Sequence, residues 1–286
     1  MSINKYLEKL EDLTGKKVLV TGGTSGIGLS IVKQLLSKNT QVVVLARNID
    51  KAEKIKKQLA LLYPSNPLEI IKYDQGDAQS IKEAAKAIVN YHRDFYALVL
   101  NAGIFQTKKN MDYVNDVPQT INTNFIGLDT FLNELLPQLN EPHRFILQGS
   151  LVAGWKHKKL DSLKTNKLGS FDQYIVSKCG VEAVFYHYSH VYENFSFYLV
   201  EPGIASTDII RDFPVIIRKA GKVFLKVFSH SPDRAALTTL VALQSRTEKD
   251  SFIVPRGLFT CMGYPKIKKF PTKRERPYLY DLLSKL

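Results

Sequence analysis

Short apolar runs punctuate the first two hundred residues: Val18–Val20, Val42–Leu45, Ile70–Ile71 with Tyr73, Ala97–Leu100, Phe145–Leu147 and Tyr198–Val200. Each is β-branched or aromatic in character and lacks polar alternation, the pattern of parallel strands covered on both faces. Between them apolar residues recur at helical spacing. Ile27, Ile31, Leu35 and Leu36 form one set, and Ala52, Ile55 and Leu59 the next. Ile81, Ala85 and Ile88 follow, then Leu128, Leu132 and Leu135, then Val181, Val184 and Phe185. Such alternation predicts right-handed βαβ units and an α/β fold: a doubly wound parallel sheet with helices on both faces. A further helix near Asp233–Gln244 and a strand near Ser251–Val254 bring the expectation to about seven strands. Neither a linker nor an internal repeat divides the chain. Residues 1–286 therefore read as one domain, with a core over about 14–255.

Composition narrows the class. The 286 residues are 44% hydrophobic and 23% charged, close to globular usage, which excludes disorder and fibrous repeats. Two cysteines, Cys179 and Cys261, are too few to staple a secreted scaffold or to complete a zinc tetrad. No apolar run approaches the ~18 residues of a membrane span. The first residues, MSINKYLEKLEDLTGKK, lack the apolar stretch of a signal peptide, so a cytoplasmic setting is expected.

Charge is the unusual quantity. The chain holds 40 basic and 27 acidic residues, a net +13. Residues 155–170 carry five Lys and one Asp, and residues 205–286 carry 16 basic and 7 acidic residues; the remainder is neutral. Either the surplus only solubilises, or two segments face something anionic, an acidic carrier or a membrane surface. The basic tail from Lys266 to Arg276 accompanies no recognised nucleic-acid fold, so a nucleic-acid partner is not expected.

The chemistry begins at the first strand. It runs into Thr21-Gly22-Gly23-Thr24-Ser25-Gly26-Ile27-Gly28, and a helical pattern follows. Glycines at a strand-to-helix turn let the backbone approach a pyrophosphate seated at the helix N-terminus. The second strand ends in Arg47, where an NAD site would place an acidic residue for the ribose 2′-hydroxyl. Arg47 either forks onto a 2′-phosphate, which favours NADP(H) over NAD(H), or faces solvent at a strand end.

Further matches follow in order: Asp74-Gln75 after the third strand, Asn101-Ala102-Gly103 after the fourth, and Asn124 in Asn124-Phe125-Ile126-Gly127. Ser150 lies after the fifth strand; then come Tyr174-Ile175-Val176-Ser177-Lys178 and Pro202-Gly203-Ile204 with Thr207. Over about residues 14–255 this series resembles the classical short-chain dehydrogenase/reductases, which have a Rossmann-like fold. The resemblance implies a catalytic set of Asn124, Ser150, Tyr174 and Lys178. It implies cofactor contacts from Gly22, Thr24, Ser25, Gly26, Ile27, Gly28, Arg47, Asp74, Gln75, Asn101, Ala102 and Gly103. Tyr174, Lys178, Pro202, Gly203, Ile204 and Thr207 would complete that set. Gln75 stands where the family usually has Leu. A second Y-x-x-x-K, Tyr264–Lys268, has none of the neighbouring motifs.

Hydride transfer to a carbonyl develops negative charge on oxygen, which must be stabilised and protonated. A free Tyr has a pKa of about 10. Tyr174 and Lys178, at i and i+4, share a helix face, so the ammonium is expected to stabilise the phenolate. In the family the Lys also grips the nicotinamide ribose, and the Asn completes a proton relay through water.

Ser150 and Tyr174 are 24 residues apart, about twice the usual gap in the family. The excess resembles the retinol-dehydrogenase-like and protochlorophyllide-reductase-like branches, which act on bulky apolar substrates. Trp155 opens this insert and either lines the cleft or packs the loop. Residues 208–232 occupy the family's substrate-lid position. Their interleaved apolar and basic residues suit a cap on a greasy substrate, a helix on an anionic membrane, or a lid packed on its own domain. Residues 256–286 read as a basic C-terminal extension. The expected activity is interconversion of a hydrophobic alcohol with its ketone or aldehyde. A ketoreductase of acyl-CoA or acyl-carrier thioesters, and an inactive NADP-binding interaction protein, remain as alternatives. Family members often form dimers or tetramers through the helices carrying Asn124 and Tyr174.

Overall fold

The protein is described from a computed structural model, covering residues 2–65, 68–107, 109–154, 168–204, 230–257, 260–275 and 277–283. Trp155, Thr207, most of the insert and residues 208–229 of the expected lid over 208–232 lie outside the described residues.

A short helix, α1 (Ile3–Leu7), precedes β1 (Lys17–Thr21), α2 (Gly26–Leu36), β2 (Gln41–Ala46), α3 (Ile49–Leu62) and β3 (Glu69–Lys72). Next come α4 (Ala78–Tyr91), β4 (Ala97–Leu100) and a small hairpin of β5 (Tyr113–Val114) and β6 (Val117–Pro118). The turn α5 (Gln119–Ile121) leads through a π-helical segment, Asn122–Ile126, into α6 (Gly127–Leu135). Then follow β7 (Arg144–Gln148), α7 (Ser170–Val191) and β8 (Ser196–Val200). The chain continues through α8 (Pro232–Ala235), α9 (Leu237–Ala242), β9 (Phe252–Pro255), β10 (Pro265–Lys268) and α10 (Pro277–Leu283).

The main sheet has eight strands in the order β10-β9-β8-β7-β4-β1-β2-β3. The seven from β9 to β3 are parallel and coincide with the apolar runs in the sequence. The eighth, β10, pairs antiparallel with β9 and comes from the basic extension. Strand residues alternate between two buried cores. Leu19, Val43, Leu98, Phe145 and Phe197 pack on the side that contains α4, α6 and α7 residues. Val18, Val42, Val99, Ile146 and Tyr198 pack on the side of α2 and α9. Burial of both faces explains why the strands read as unbroken apolar runs.

Helix starts follow local chemistry. Asn48 and Asp77 accept from Lys51 N and Ser80 N, capping α3 and α4. Helix α7 is buried nearly all round from Gln173 to Phe185. At Gly180 a Cβ would lie 2.2 Å from the Phe125 ring, so only glycine lets α7 approach the π-helical segment so closely. Among the described residues no helix is long and apolar enough to cross a membrane, and no group of His, Cys, Asp or Glu could hold a metal ion.

Candidate active site

The strand order reverses between β1 and β4, so a crevice opens at the carboxyl ends of these neighbours. The turn after β1 lies there. A Cβ on Gly28 would meet Gly22 O at 2.3 Å and Asn101 Nδ2 at 2.6 Å, so the loop folds against the start of α2 only with glycine at that point. Ser25, the N-cap of this 11-residue helix, makes no side-chain cap hydrogen bond. The first N–H groups of α2 thus keep the character of an anion site, and a pyrophosphate fits the cradle. Thr24, Ser25 and Ile27 line the same turn.

Beside it, Asn101 Nδ2 donates to Thr21 O at 3.1 Å, and Ala102 N donates to Thr21 Oγ1 at 2.9 Å. These bonds tie the ends of β1 and β4 together. Gln75 Nε2 donates to Thr123 O at 2.7 Å, while Tyr73 donates to Gln75 Oε1 at 3.1 Å. A leucine could not make this clamp between β3 and the π-helical segment. Asp74 Oδ1 accepts from Gly76 N at 3.0 Å and shapes the turn after β3.

Arg47 is exposed at the end of β2, and Lys72 Nζ donates to its carbonyl. Lys72 is a second cation that the sequence motifs did not single out, because it becomes Arg47's neighbour only through the β2–β3 pairing.

The four residues of the expected catalytic set approach one another at the ends of β4 and β7. Asn124 sits in the π-helical segment, 1% exposed. Its Oδ1 accepts from Ile104 N at 2.7 Å; its Nδ2 donates to Ile104 O at 2.8 Å and to Ser177 Oγ at 3.1 Å. Single π turns inside α-helices commonly mark functional positions. Ser177 is a supporting residue hidden inside the Tyr174–Lys178 motif. A Cβ on Gly103, which is itself exposed, would lie 3.2 Å from Asn124 Oδ1 and 3.7 Å from Lys178 Nζ. Both groups therefore lie within reach of one exposed backbone position.

Tyr174 is buried, with the Phe105 ring edge-on at 5.6 Å. Burial pushes its phenol above the ordinary value, and the hydrogen bond with Ser150 pulls it back in part. Lys178 is buried as well. Its Nζ donates to Gln148 O at 2.9 Å and stands 6.0 Å from the centre of the Tyr174 ring. Desolvation lowers its pKa to about 8. The lysine is thus anchored on the backbone of β7 while facing the tyrosine ring, and Ser150 supplies the hydrogen bond that lowers the phenol's pKa.

The loop Pro202-Gly203-Ile204 follows β8. Ile204 N donates to Cys261 O at 2.7 Å, and His230 N donates to Ile204 O at 2.9 Å. The second Y-x-x-x-K has no part in the site. Pro265–Lys268 is extended in β10, which separates Tyr264 and Lys268 by about 13 Å along a strand, and Tyr264 stacks on Tyr6 at 4.9 Å.

Residues 16–213 match the family described as short chain dehydrogenase. A short-chain dehydrogenase/reductase of Armillaria gallica is 31% identical over 251 residues, covering 82% of this chain and 78% of that one. Human retinol dehydrogenase 11 is 28% identical over 142 residues, 49% of this chain and 44% of its own length. A crystal structure of a short chain dehydrogenase from Burkholderia cenocepacia in complex with NADP superimposes with a TM-score of 0.64. That match has 20% identity and covers 82% of this chain and 92% of that one. With the glycine turn and the ordered motifs all inside the matched span, the chain belongs to the short-chain dehydrogenase/reductase family, NAD(P)-dependent oxidoreductases acting on CH–OH and C=O groups.

Proposed function

We propose that this protein is an NADP(H)-dependent oxidoreductase that interconverts a hydrophobic alcohol with its ketone or aldehyde. The observation that carries the reading is the convergence of four side chains: Tyr174 on Ser150, Lys178 on the Tyr174 ring, and Asn124 with Lys178 on the exposed Gly103. When bound, a nicotinamide dinucleotide supplies or accepts the hydride at the reacting carbon. The turn from Gly22 to Gly28 would hold its pyrophosphate, with Asp74, Gln75 and the 101–103 segment along its path. Ser150 and Tyr174 donate to the carbonyl oxygen as charge grows there, and Tyr174 gives up its proton. In the reverse direction the phenolate takes the proton from the alcohol. Asn124 holds the Ile104 backbone and Ser177 in place beside Lys178.

Apolar chemistry around the acid supports a hydrophobic substrate. Phe105 covers one edge of Tyr174, and Leu151 and Val152, half-buried, follow Ser150 directly. The long Ser150–Tyr174 gap and the likeness to retinol dehydrogenase 11 point the same way. A homodimer or homotetramer built through the outer face of α7 would have to include α10, because Tyr280 stacks on His187 there at 3.5 Å.

A panel of apolar ketones and aldehydes with NADPH tests the reading. The expected result is NADPH consumption with kcat/KM rising as the carbonyl substrate becomes more apolar. Salt-sensitive turnover confined to acyl thioesters would replace it with a ketoreductase acting on an acidic carrier. Tight NADPH binding with no turnover on any substrate would make the protein a non-catalytic binder.

The cofactor choice has its own test. Arg47→Asp replaces a guanidinium by a carboxylate where a 2′-phosphate would lie, and a charged hydrogen bond contributes about 1.5–3 kcal/mol. The preference of kcat/KM for NADPH over NADH is expected to fall by about 10–100-fold, and Lys72→Gln to have a smaller effect in the same direction. An unchanged ratio in Arg47→Asp overturns the NADP assignment.

A further inference from the structure

The C-terminal extension places one arginine against three parts of the site. Arg274 ends the short turn Thr272–Arg274 and is 8% exposed, although its neighbour Lys273 is exposed. Its Nη2 donates to Glu182 Oε1 and, at 2.6 Å, to Glu201 Oε1. These carboxylates are 0% and 1% exposed. Phe252 and Phe270 flank the guanidinium, with ring centres 5.0 and 6.0 Å from Cζ. A Cβ on Gly154 would lie 3.4 Å from Nη1 and 3.6 Å from Cζ, so the guanidinium also packs on the turn Leu151–Gly154.

Each contact belongs to a different piece of the site. Glu182 lies on α7 one turn beyond Lys178 and two beyond Tyr174, on the same helix face. Gly154 ends the turn that Ser150 begins. Glu201 immediately precedes Pro202-Gly203-Ile204. The ladder between β7 and β8 stops at the Gln148–Val200 pair, so Ser150 and Pro202 both lie past its end.

Buried ion pairs rarely repay their desolvation, and well-packed neutral replacements are often as stable. What the planar guanidinium adds is geometry: its Nη2 holds two carboxylates, one from α7 and one from the end of β8, at one fixed separation. We propose that Arg274 is a positioning residue for the reaction: it holds the Tyr174–Lys178 helix, the Ser150 turn and the Pro202–Ile204 loop in register with one another. This role rests on the reaction assigned above.

The test removes the charges together, because Arg274→Met alone leaves two buried carboxylates without their guanidinium. Arg274→Met/Glu182→Gln/Glu201→Gln is expected to melt close to the wild type and to bind NADPH with a Kd within about threefold. Its kcat, counted per NADPH-binding site, is expected to fall by about 100-fold, the scale of an ångström-sized misplacement, with KM for the carbonyl nearly unchanged. The emission of bound NADPH is expected to move toward that of free NADPH, a readout independent of turnover. Arg274→Lys, which keeps the charge but not the planar geometry of the guanidinium, is expected not to rescue kcat. A triple variant with wild-type kcat and wild-type emission overturns the positioning role while leaving the reaction intact. A loss of kcat wholly accounted for by lost folded protein also overturns it, since that is what a purely structural role produces. A wild type that reduces no carbonyl overturns the reaction assignment and this role together.

Discussion

Tyr174→Phe is expected to bind NADPH as the wild type does and to lose about 10²–10⁴-fold in kcat, the contribution of a positioned general acid. The substitution removes one oxygen and leaves the ring edge-on to Phe105. Packing of α7 against the π-helical segment is unaffected, because it runs through Gly180 and Phe125 on the far side of the motif. Loss of the hydrogen bond to Ser150 costs about 1 kcal/mol of stability, too little to unfold the protein. The pH dependence has a defined sign. Burial raises the Tyr174 pKa, so the phenol carries its proton at neutral pH and is ready to act as an acid in carbonyl reduction. Alcohol oxidation needs the phenolate and is expected to speed up as pH rises into the alkaline range. Steady-state kinetics in both directions check this. A Tyr174→Phe protein that keeps most of the wild-type kcat removes Tyr174 from its role as proton donor.

Much of this was legible because parallel strands buried on both faces leave unbroken apolar runs. The runs at Val18, Val42, Ala97 and Phe145 became β1, β2, β4 and β7. The glycine turn was legible for a different reason: close backbone approach tolerates no Cβ, and Gly28 shows how little room there is. Strand β10 was hidden because Pro265–Lys268 alternates apolar and basic residues, as a solvated edge does. Arg274 was hidden in the same way. In the sequence it is one more cation in a basic tail; only folding brings Glu182 and Glu201 to it from 92 and 73 residues away. Arg274 is therefore an internal counter-charge rather than part of a surface that faces a partner. The hydrogen bond from Lys178 to Gln148 O was not legible, because helical spacing puts the lysine on the face of Tyr174 but says nothing of the β7 carbonyl beneath.

Lys178→Met should make the protein more stable and much less active. The lysine is 6% exposed, and burial lowers its pKa from 10.5 to about 8. Below the folded value both the folded and the unfolded chain carry the proton, and the folded state bears the whole cost of burying it. One pKa unit corresponds to about 1.4 kcal/mol, so at pH 7 that cost is about 3 kcal/mol. Methionine removes it but deprives Gln148 O of its donor, a loss of about 1 kcal/mol. The net gain is about 2 kcal/mol, which raises Tm by roughly 5 °C. As pH rises from about 8 toward 10.5, the folded wild type has already released the proton that the unfolded chain still holds, so wild-type stability climbs. The advantage of Lys178→Met therefore shrinks over that window and is gone by its upper end. Turnover is expected to fall by at least about 100-fold, the scale of losing one preorganised donor in an active site. Thermal melts of both proteins across this pH range give the decisive comparison. A variant less stable than the wild type at pH 7, with a pH-independent difference, would show that Lys178 supports the fold. The opposite result identifies a buried cation retained at a cost in stability, for which the family's chemistry is the physical reason.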